Sequence, residues 1–185
     1  MLLKKRSFKS TIAPLYQFLQ FYFSQPMSAT TIAQIHNFLQ LSAHLATAGQ
    51  PTAEEFELIK NAGYQVVVNL ALPTSTKALP NEQAIVEALG MQYIHIPVIW
   101  EQPTQQEFDR FAATLQANAD KPVFVHCAMN MRVSVFVYLY RRHYEGISET
   151  QAQQDLQQIW TPNSTWQQFI AQVQAALVER NSSSD

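Results

Sequence analysis

Apolar residues along the chain fall into short runs separated by stretches of helical spacing, and the two kinds of pattern alternate through most of its length. After a helix predicted over Thr30 to Leu41, His44 to Ala48 reads as a short strand, and Gly49-Gln50-Pro51 turns into a second helix. Thr52 and Glu55 stand at capping-box spacing at its start, and Phe56, Ile59 and Gly63 close it. Gln65 to Leu72 follows with consecutive valines, Val66-Val67-Val68, a run without alternation that marks a strand covered on both faces. The plan then repeats. Asn81 to Leu89 is a helix ended by Gly90, and Met91 to Val98 a strand in which Tyr93, His95 and Pro97 alternate with Ile94, Ile96 and Val98. Pro103 marks a loop, Thr104 with Glu107 makes a second capping box, and Phe108, Phe111, Ala112 and Leu115 recur at helical spacing.

Lys121-Pro122 leads into another apolar run, Val123 to His126. From Val133 to Tyr140 the chain is apolar on every side, as expected of a helix in the middle of a domain, and Arg141 and Arg142 suit the negative end of its dipole. Gly146 terminates it, and two more helices are predicted: Glu149 to Ile159, and one starting near Ser164 with Phe169, Ile170, Val173 and Leu177 facing inward. Strands that alternate with helices form a sheet covered by helices, so the expected class is α/β with an all-helical C-terminal part. No internal repeat or long linker divides the pattern. The expected organisation is an N-terminal extension over residues 1–27, one domain over 28–180 and a frayed tail over 181–185.

Composition narrows the function. With 185 residues, 47% of them hydrophobic, the chain can bury a sizeable core. Its 12 basic and 14 acidic side chains leave a net charge of -2, too little field to gather nucleic acid or an anionic membrane, so any anion must be held by local groups. A single cysteine excludes an intrachain disulfide framework, and five histidines without an H-x-x-x-H pair give no zinc signature; neither a metal nor an organic cofactor is implied. The start of the chain, Leu3-Lys4-Lys5-Arg6 and an apolar run from Ile12 to Phe23 broken by Gln17 and Gln20, makes a poor secretory signal and is too short to span a bilayer. The expectation is a cytoplasmic protein without an integral membrane segment, with export as the minor alternative and Met27 as an alternative start.

The lone thiol stands where chemistry is expected. Val125-His126-Cys127-Ala128-Met129-Asn130-Met131-Arg132 is a strand that breaks into a tight turn and opens the apolar helix. Unpaired amides at a helix start, together with the dipole's positive end, favour a phosphate or another oxyanion. Ala128, Met129, Asn130 and Met131 would supply the cradle, and Arg132 a forked, permanently charged donor. The same positive potential stabilises a thiolate, which makes Cys127 the candidate nucleophile. Ser134, one turn into the helix, either assists the thiolate or faces a neighbouring helix, and His126 supports structure. A leaving oxygen needs a proton, and Glu101 in Trp100-Glu101-Gln102-Pro103 is the candidate acid, ahead of Asp109, inside the following helix, and Asp120, before a strand. The tryptophans Trp100, Trp160 and Trp166 read as packing residues, with Trp100 able to line the pocket wall.

These residues resemble the phosphatase-like domain of the beta-lactamase-hydrolase-like family, a bacterial branch of the dual-specificity and protein tyrosine phosphatase superfamily. The similarity runs over residues 30 to 178 and includes Ala48-Gly49-Gln50-Pro51, the strand ending Asn69-Leu70, His95-Ile96-Pro97-Val98, and His126-Cys127 through Arg132. The resemblance implies a parallel-rich sheet of four or five strands flanked by helices, a nucleophile at Cys127, a phosphate-binding arginine at Arg132, and a phosphorylated protein or small phosphate ester as substrate. The loop departs from the usual phosphatase pattern: four residues separate Cys127 from Arg132 instead of five, and none is glycine, so Asn130 is expected to supply the left-handed conformation. The four-residue spacing is also similar to that of rhodaneses, which makes a sulfurtransferase the second enzymatic expectation and a noncatalytic phosphate-binding module the third.

Overall fold

The computed structural model describes residues 31–182 of the chain. Five strands form one sheet: β1 (Leu39–Gln40), β2 (Leu45–Ala48), β3 (Val66–Asn69), β4 (Gln92–His95) and β5 (Val123–His126), in the spatial order β1-β2-β5-β3-β4. Only β1 is antiparallel to its neighbour; β2, β5, β3 and β4 run parallel and end on one edge of the sheet. The helices are α1 (Ala53–Asn61), α2 (Glu82–Ala88), α3 (Gln105–Ala117), α4 (Met131–Tyr144), α5 (Glu149–Gln157) and α6 (Ser164–Ser182). The expected α/β architecture is present, with five strands and an all-helical C-terminal part.

Each face of the sheet buries its own core, which is why the valine run does not alternate with polar residues. Ala46, Ala48, Val67 and Phe124 meet Phe56 and Ile59 of α1 and Val86 of α2. On the other face Leu45, Val66, Val68, Val123 and Val125 pack with Phe108 and Phe111 of α3, Phe136 of α4, and Trp166 and Phe169 of α6. At about 1.5–3 kcal/mol for each large apolar side chain fully removed from water, these layers supply the main force holding the sheet between its helices. Helix α4 is buried from Arg132 to Arg141, as its all-round apolar sequence requires. Both capping boxes form reciprocally: Thr52 and Glu55 open α1, and Thr104 and Glu107 open α3.

The helix expected over Thr30 to Leu41 does not form among the described residues. Ile32–Gln34 makes one turn of 3-10 helix, Ile35 is extended, Asn37 takes a φ of 50°, and Leu39 and Gln40 pair with Thr47 and Ala46 at the sheet edge. Helical spacing of apolar residues is a weak local signal, and the backbone partners offered by β2 outcompete a short helix that is marginal by itself. The strand expected over Met91 to Val98 is cut to Gln92–His95 because Pro97 has no amide to donate, although Ile96 and Val98 still bond to Asn69 and Leu70. The expectations for residues 1–27, and for the tail past Ser182, lie outside the described residues. Among the described residues no helix is long and apolar enough to cross a membrane.

Candidate active site

Strand β5 lies between β2 and β3, and its C-terminal end is where the chain leaves the sheet for α4. In α/β sheets the crevice beyond the carboxyl ends of parallel strands is where ligands bind, because loops of several strands converge there with helix N-termini. Cys127 is the first residue past β5 and is only 1% exposed. Its amide reaches back to Ala48 of β2 at 3.4 Å, so the thiol-bearing residue is still attached to the sheet.

From Ala128 to Met131 the loop is fixed from outside. Gln50 donates its backbone N–H to the Ala128 carbonyl at 3.1 Å, and Asn37 Nδ2 donates to the Met129 carbonyl at 3.0 Å. In a trans peptide plane the carbonyl and the following N–H point in opposite directions, so the amides of Met129 and Asn130 face away from these partners. Gly49 forms an isolated bridge with Met129; a Cβ there would stand 2.8 Å from the His36 ring, closer than real Cβ contacts come, and 3.0 Å from the Ala128 carbonyl, tighter than most. Asn130 has φ 64° and ψ -1°, the left-handed conformation expected of it, and is buried. Its Nδ2 donates to the Asn37 carbonyl at 2.7 Å and to Thr47 Oγ1 at 2.9 Å. Beyond it, Met131, Arg132 and Val133 open α4 with amides that have no acceptor inside the helix, and the helix dipole adds positive potential at the same point.

Arg132 is 8% exposed, its guanidinium lies over the Trp100 ring at 5.7 Å, and its buried Nε has no hydrogen-bond partner among the described residues. Trp100 is in turn packed against Trp160 and Trp166, each at 5.2 Å between ring centroids. Trp160 Nε1 donates to the Met131 carbonyl and to Ser134 Oγ, and Ser134 Oγ donates to the same carbonyl. The Ser134 hydroxyl is thereby engaged with its own helix and Trp160. The aromatic cluster holds the first turn of α4 and supports Arg132 on the Trp100 face.

Under the loop lies a polar cluster in which the sequence marks only His126 as a site residue, Gln50, Asn69 and Tyr93 reading as parts of a turn and of strands. His126 is fully buried with Nε2 3.0 Å from Glu82 Oε1. Glu82 also accepts hydrogen bonds from Asn69, Tyr93 and Gln50. Burial alone would raise the pKa of the Glu82 carboxyl, but His126, Gln50 and Tyr93 outweigh it and hold it below the ordinary value. Burial, followed by the charge of Glu82, pushes the Tyr93 phenol well above its ordinary range. In the sequence Glu82 reads only as an acidic residue in a first helical turn, and Gln50 only as part of a turn.

The acid candidates are placed differently from one another. Glu101 is exposed in the turn that leads from Trp100 to α3. Asp109 is held on α3 by Arg180 of α6, at 2.9 and 2.7 Å, and the hydrogen bonds from that guanidinium outweigh partial burial in lowering its pKa. Asp120 precedes β5, at the opposite end of the parallel strands from Cys127. Ile99 and Met129, on the segments that carry Glu101 and the loop, are 47% and 45% exposed.

Residues 24–181 match the family described as DSP-PTPase phosphatase fused to NAD+ kinase. The chain is 29% identical over 97 residues to the beta-lactamase hydrolase-like protein of Xylella fastidiosa, a stretch that is 51% of this chain but 22% of that protein. A DUF442 protein of Shewanella putrefaciens CN-32 superposes with a TM-score of 0.71 at 31% identity, covering 79% of this chain and 96% of the other. TpbA of P. aeruginosa, solved in complex with pTyr, shares the fold at 18% identity and a TM-score of 0.56, covering 75% of this chain and 78% of its own. With a parallel sheet delivering a cysteine loop to a buried helix and a family match over most of its length, the chain belongs to the DSP-PTPase family described as phosphatase fused to NAD+ kinase.

Proposed function

We propose that this phosphatase-fold chain hydrolyses phosphate monoesters through a phosphocysteine at Cys127. The observation that carries the reading is the loop itself: carbonyls of Ala128 and Met129 tied outward, amides turned the other way, and a buried Arg132 Nε with no partner among the described residues at a helix N-terminus. A tetrahedral phosphate would take hydrogen bonds from the amides of Ala128, Met129, Asn130 and Met131 and from the Arg132 guanidinium. Cys127 Sγ attacks phosphorus, the ester P–O bond breaks, and the departing oxygen takes a proton from Glu101. Water then attacks the phosphocysteine, giving a proton to the Glu101 carboxylate left by the first step and releasing inorganic phosphate and the Cys127 thiolate, while Arg132 and the amides stabilise charge on the equatorial oxygens. His126 and Ser134 act from behind the loop, holding it. The pTyr bound to the TpbA structure supports phosphorylated protein as one substrate class, beside small phosphate esters.

A second reading, sulfur transfer, is favoured by the four-residue spacing from Cys127 to Arg132 and by the exposure of Glu101, since a sulfane sulfur donor needs a cationic nest but no acid for an alkoxide. One paired assay separates them: aryl phosphate hydrolysis and thiosulfate-to-cyanide transfer by wild type and Cys127→Ser. Cys127-dependent phosphate release is expected. Sulfur transfer without phosphate release would assign the protein to the second reading, and silence in both with retained phosphate binding would leave a binding module.

A further inference from the structure

Glu82 has no part in the reaction just described, yet it joins residues of three parallel strands to the turn that follows a fourth. It is the first residue of α2 and is 4% exposed. Its Oε1 accepts from Asn69 Nδ2 at 2.7 Å and from the Tyr93 hydroxyl at 2.9 Å and lies 3.0 Å from His126 Nε2, while Oε2 accepts from Gln50 Nε2. Asn69 ends β3, Tyr93 is on β4, His126 ends β5, and Gln50 stands just past β2. A buried carboxylate costs desolvation that its partners must offset, and an apolar replacement of such a cluster is often as stable. Packing alone is therefore a poor reason for it.

What these partners share is the loop. His126 immediately precedes Cys127, and its carbonyl accepts from Leu70 N at 2.8 Å. Asn69 stands beside His126 in the sheet register. Gln50 bonds Glu82 through its side chain and the Ala128 carbonyl through its backbone. The carboxylate is thus joined to the nucleophile's preceding residue on one side and to the loop's first carbonyl on the other.

We propose that Glu82 is a positioning residue for the reaction at Cys127, acting through His126 and Gln50 to fix where the thiol and the loop amides stand. The activity readout rests on the phosphatase reading; thiol alkylation does not. The test compares the wild-type chain, Glu82→Gln and Ser148→Ala, the last removing the α5 cap as a remote stability control. Hydrolysis of para-nitrophenyl phosphate is measured alongside the pH dependence of iodoacetate alkylation, which has one thiol to report on. The ionisable groups placed about Glu82 and the loop are His126, 3.0 Å from Glu82, Tyr93, which donates to it, His95, 6.2 Å from the Tyr93 ring, and Arg132 at the start of α4. The expected result is a folded Glu82→Gln protein with kcat reduced at least ~10-fold, KM within ~3-fold of wild type, and an alkylation profile displaced from that of both wild type and Ser148→Ala. A folded Glu82→Gln protein with the wild-type kcat and profile overturns the proposal. If Glu82→Gln does not fold, Tyr93→Phe decides: a smaller displacement in alkylation supports the proposal, and a wild-type profile overturns it. If the wild type hydrolyses no aryl phosphate, the phosphatase reading fails, and alkylation alone decides the role of Glu82 by the same criteria.

Discussion

Asn130 sits at φ 64°, where a side chain other than glycine costs roughly 1 kcal/mol. Its amide offsets that cost with hydrogen bonds to the Asn37 carbonyl and Thr47 Oγ1, each worth about 1 kcal/mol net when buried. Asn130→Gly should therefore relieve the backbone but lose both bonds, destabilising the chain by ~1 kcal/mol in urea titration, and Asn130→Ala, which loses the bonds and keeps the strain, by ~2–3 kcal/mol. At Arg132 the charge matters less than the shape: Arg132→Lys keeps the cation but loses the fork and the contact with the Trp100 face. Phosphate binding, read as the inhibition constant of inorganic phosphate, should weaken on the order of 10-fold. For Glu101 the expected outcome of Glu101→Gln is a kcat loss on alkyl phosphates with little change on activated aryl phosphates; equal loss on both would remove the carboxylate from leaving-group protonation. The left-handed Asn130 was legible in the sequence because conformational preference belongs to the residue. Glu82 was not, since nothing local distinguishes a carboxylate at a helix start that will be buried from one that will be solvated.

At the scale of elements, whatever depended on neighbours in sequence was readable. Thr52-x-x-Glu55 and Thr104-x-x-Glu107 form the boxes their spacing predicts, because the partners lie within one turn. Thr52→Ala should lower stability by about 1 kcal/mol in thermal or denaturant unfolding. The segment before β2 was misread for the opposite reason. Its apolar positions fit a helix, but its backbone is claimed by Thr47 and Ala46, and Asn37, turned by that pairing, reaches the Met129 carbonyl 92 positions away in sequence. A strand this short has no periodicity of its own and exists because a partner is present. The edge strand thus does more than extend the sheet, since the turn before it supplies one of the donors that orient the loop.

In the whole molecule, buried polar clusters link stability to pH in two directions. The Glu82 carboxyl is held below its ordinary value of 4.5, so its contribution is present at neutral pH and is lost as pH falls below that value and through the folded pKa. Glu82→Gln should be less stable than wild type at pH 7 yet lose stability less steeply under acid, as followed by tyrosine fluorescence or circular dichroism. Tyr138 behaves oppositely: burial, and then its hydrogen bond to Glu149, push its phenol from 10.0 up to about 12. That contribution is complete below pH 10 and lost between pH 10 and about 12, so Tyr138→Phe should flatten the alkaline limb of the stability curve. Taken by itself, the sequence determined the layers of the fold and the strand-to-helix passage at Cys127, because hydrophobic period and helix capping act over a few residues. Tertiary structure alone decided that β2 to β5 end together, that Gln50 and Asn37 turn the loop carbonyls outward, that Trp100 backs Arg132, and that Glu82 lies under His126. These contacts join residues tens of positions apart, and their energies arise only once the sheet has removed the groups from water, so no local pattern encodes them.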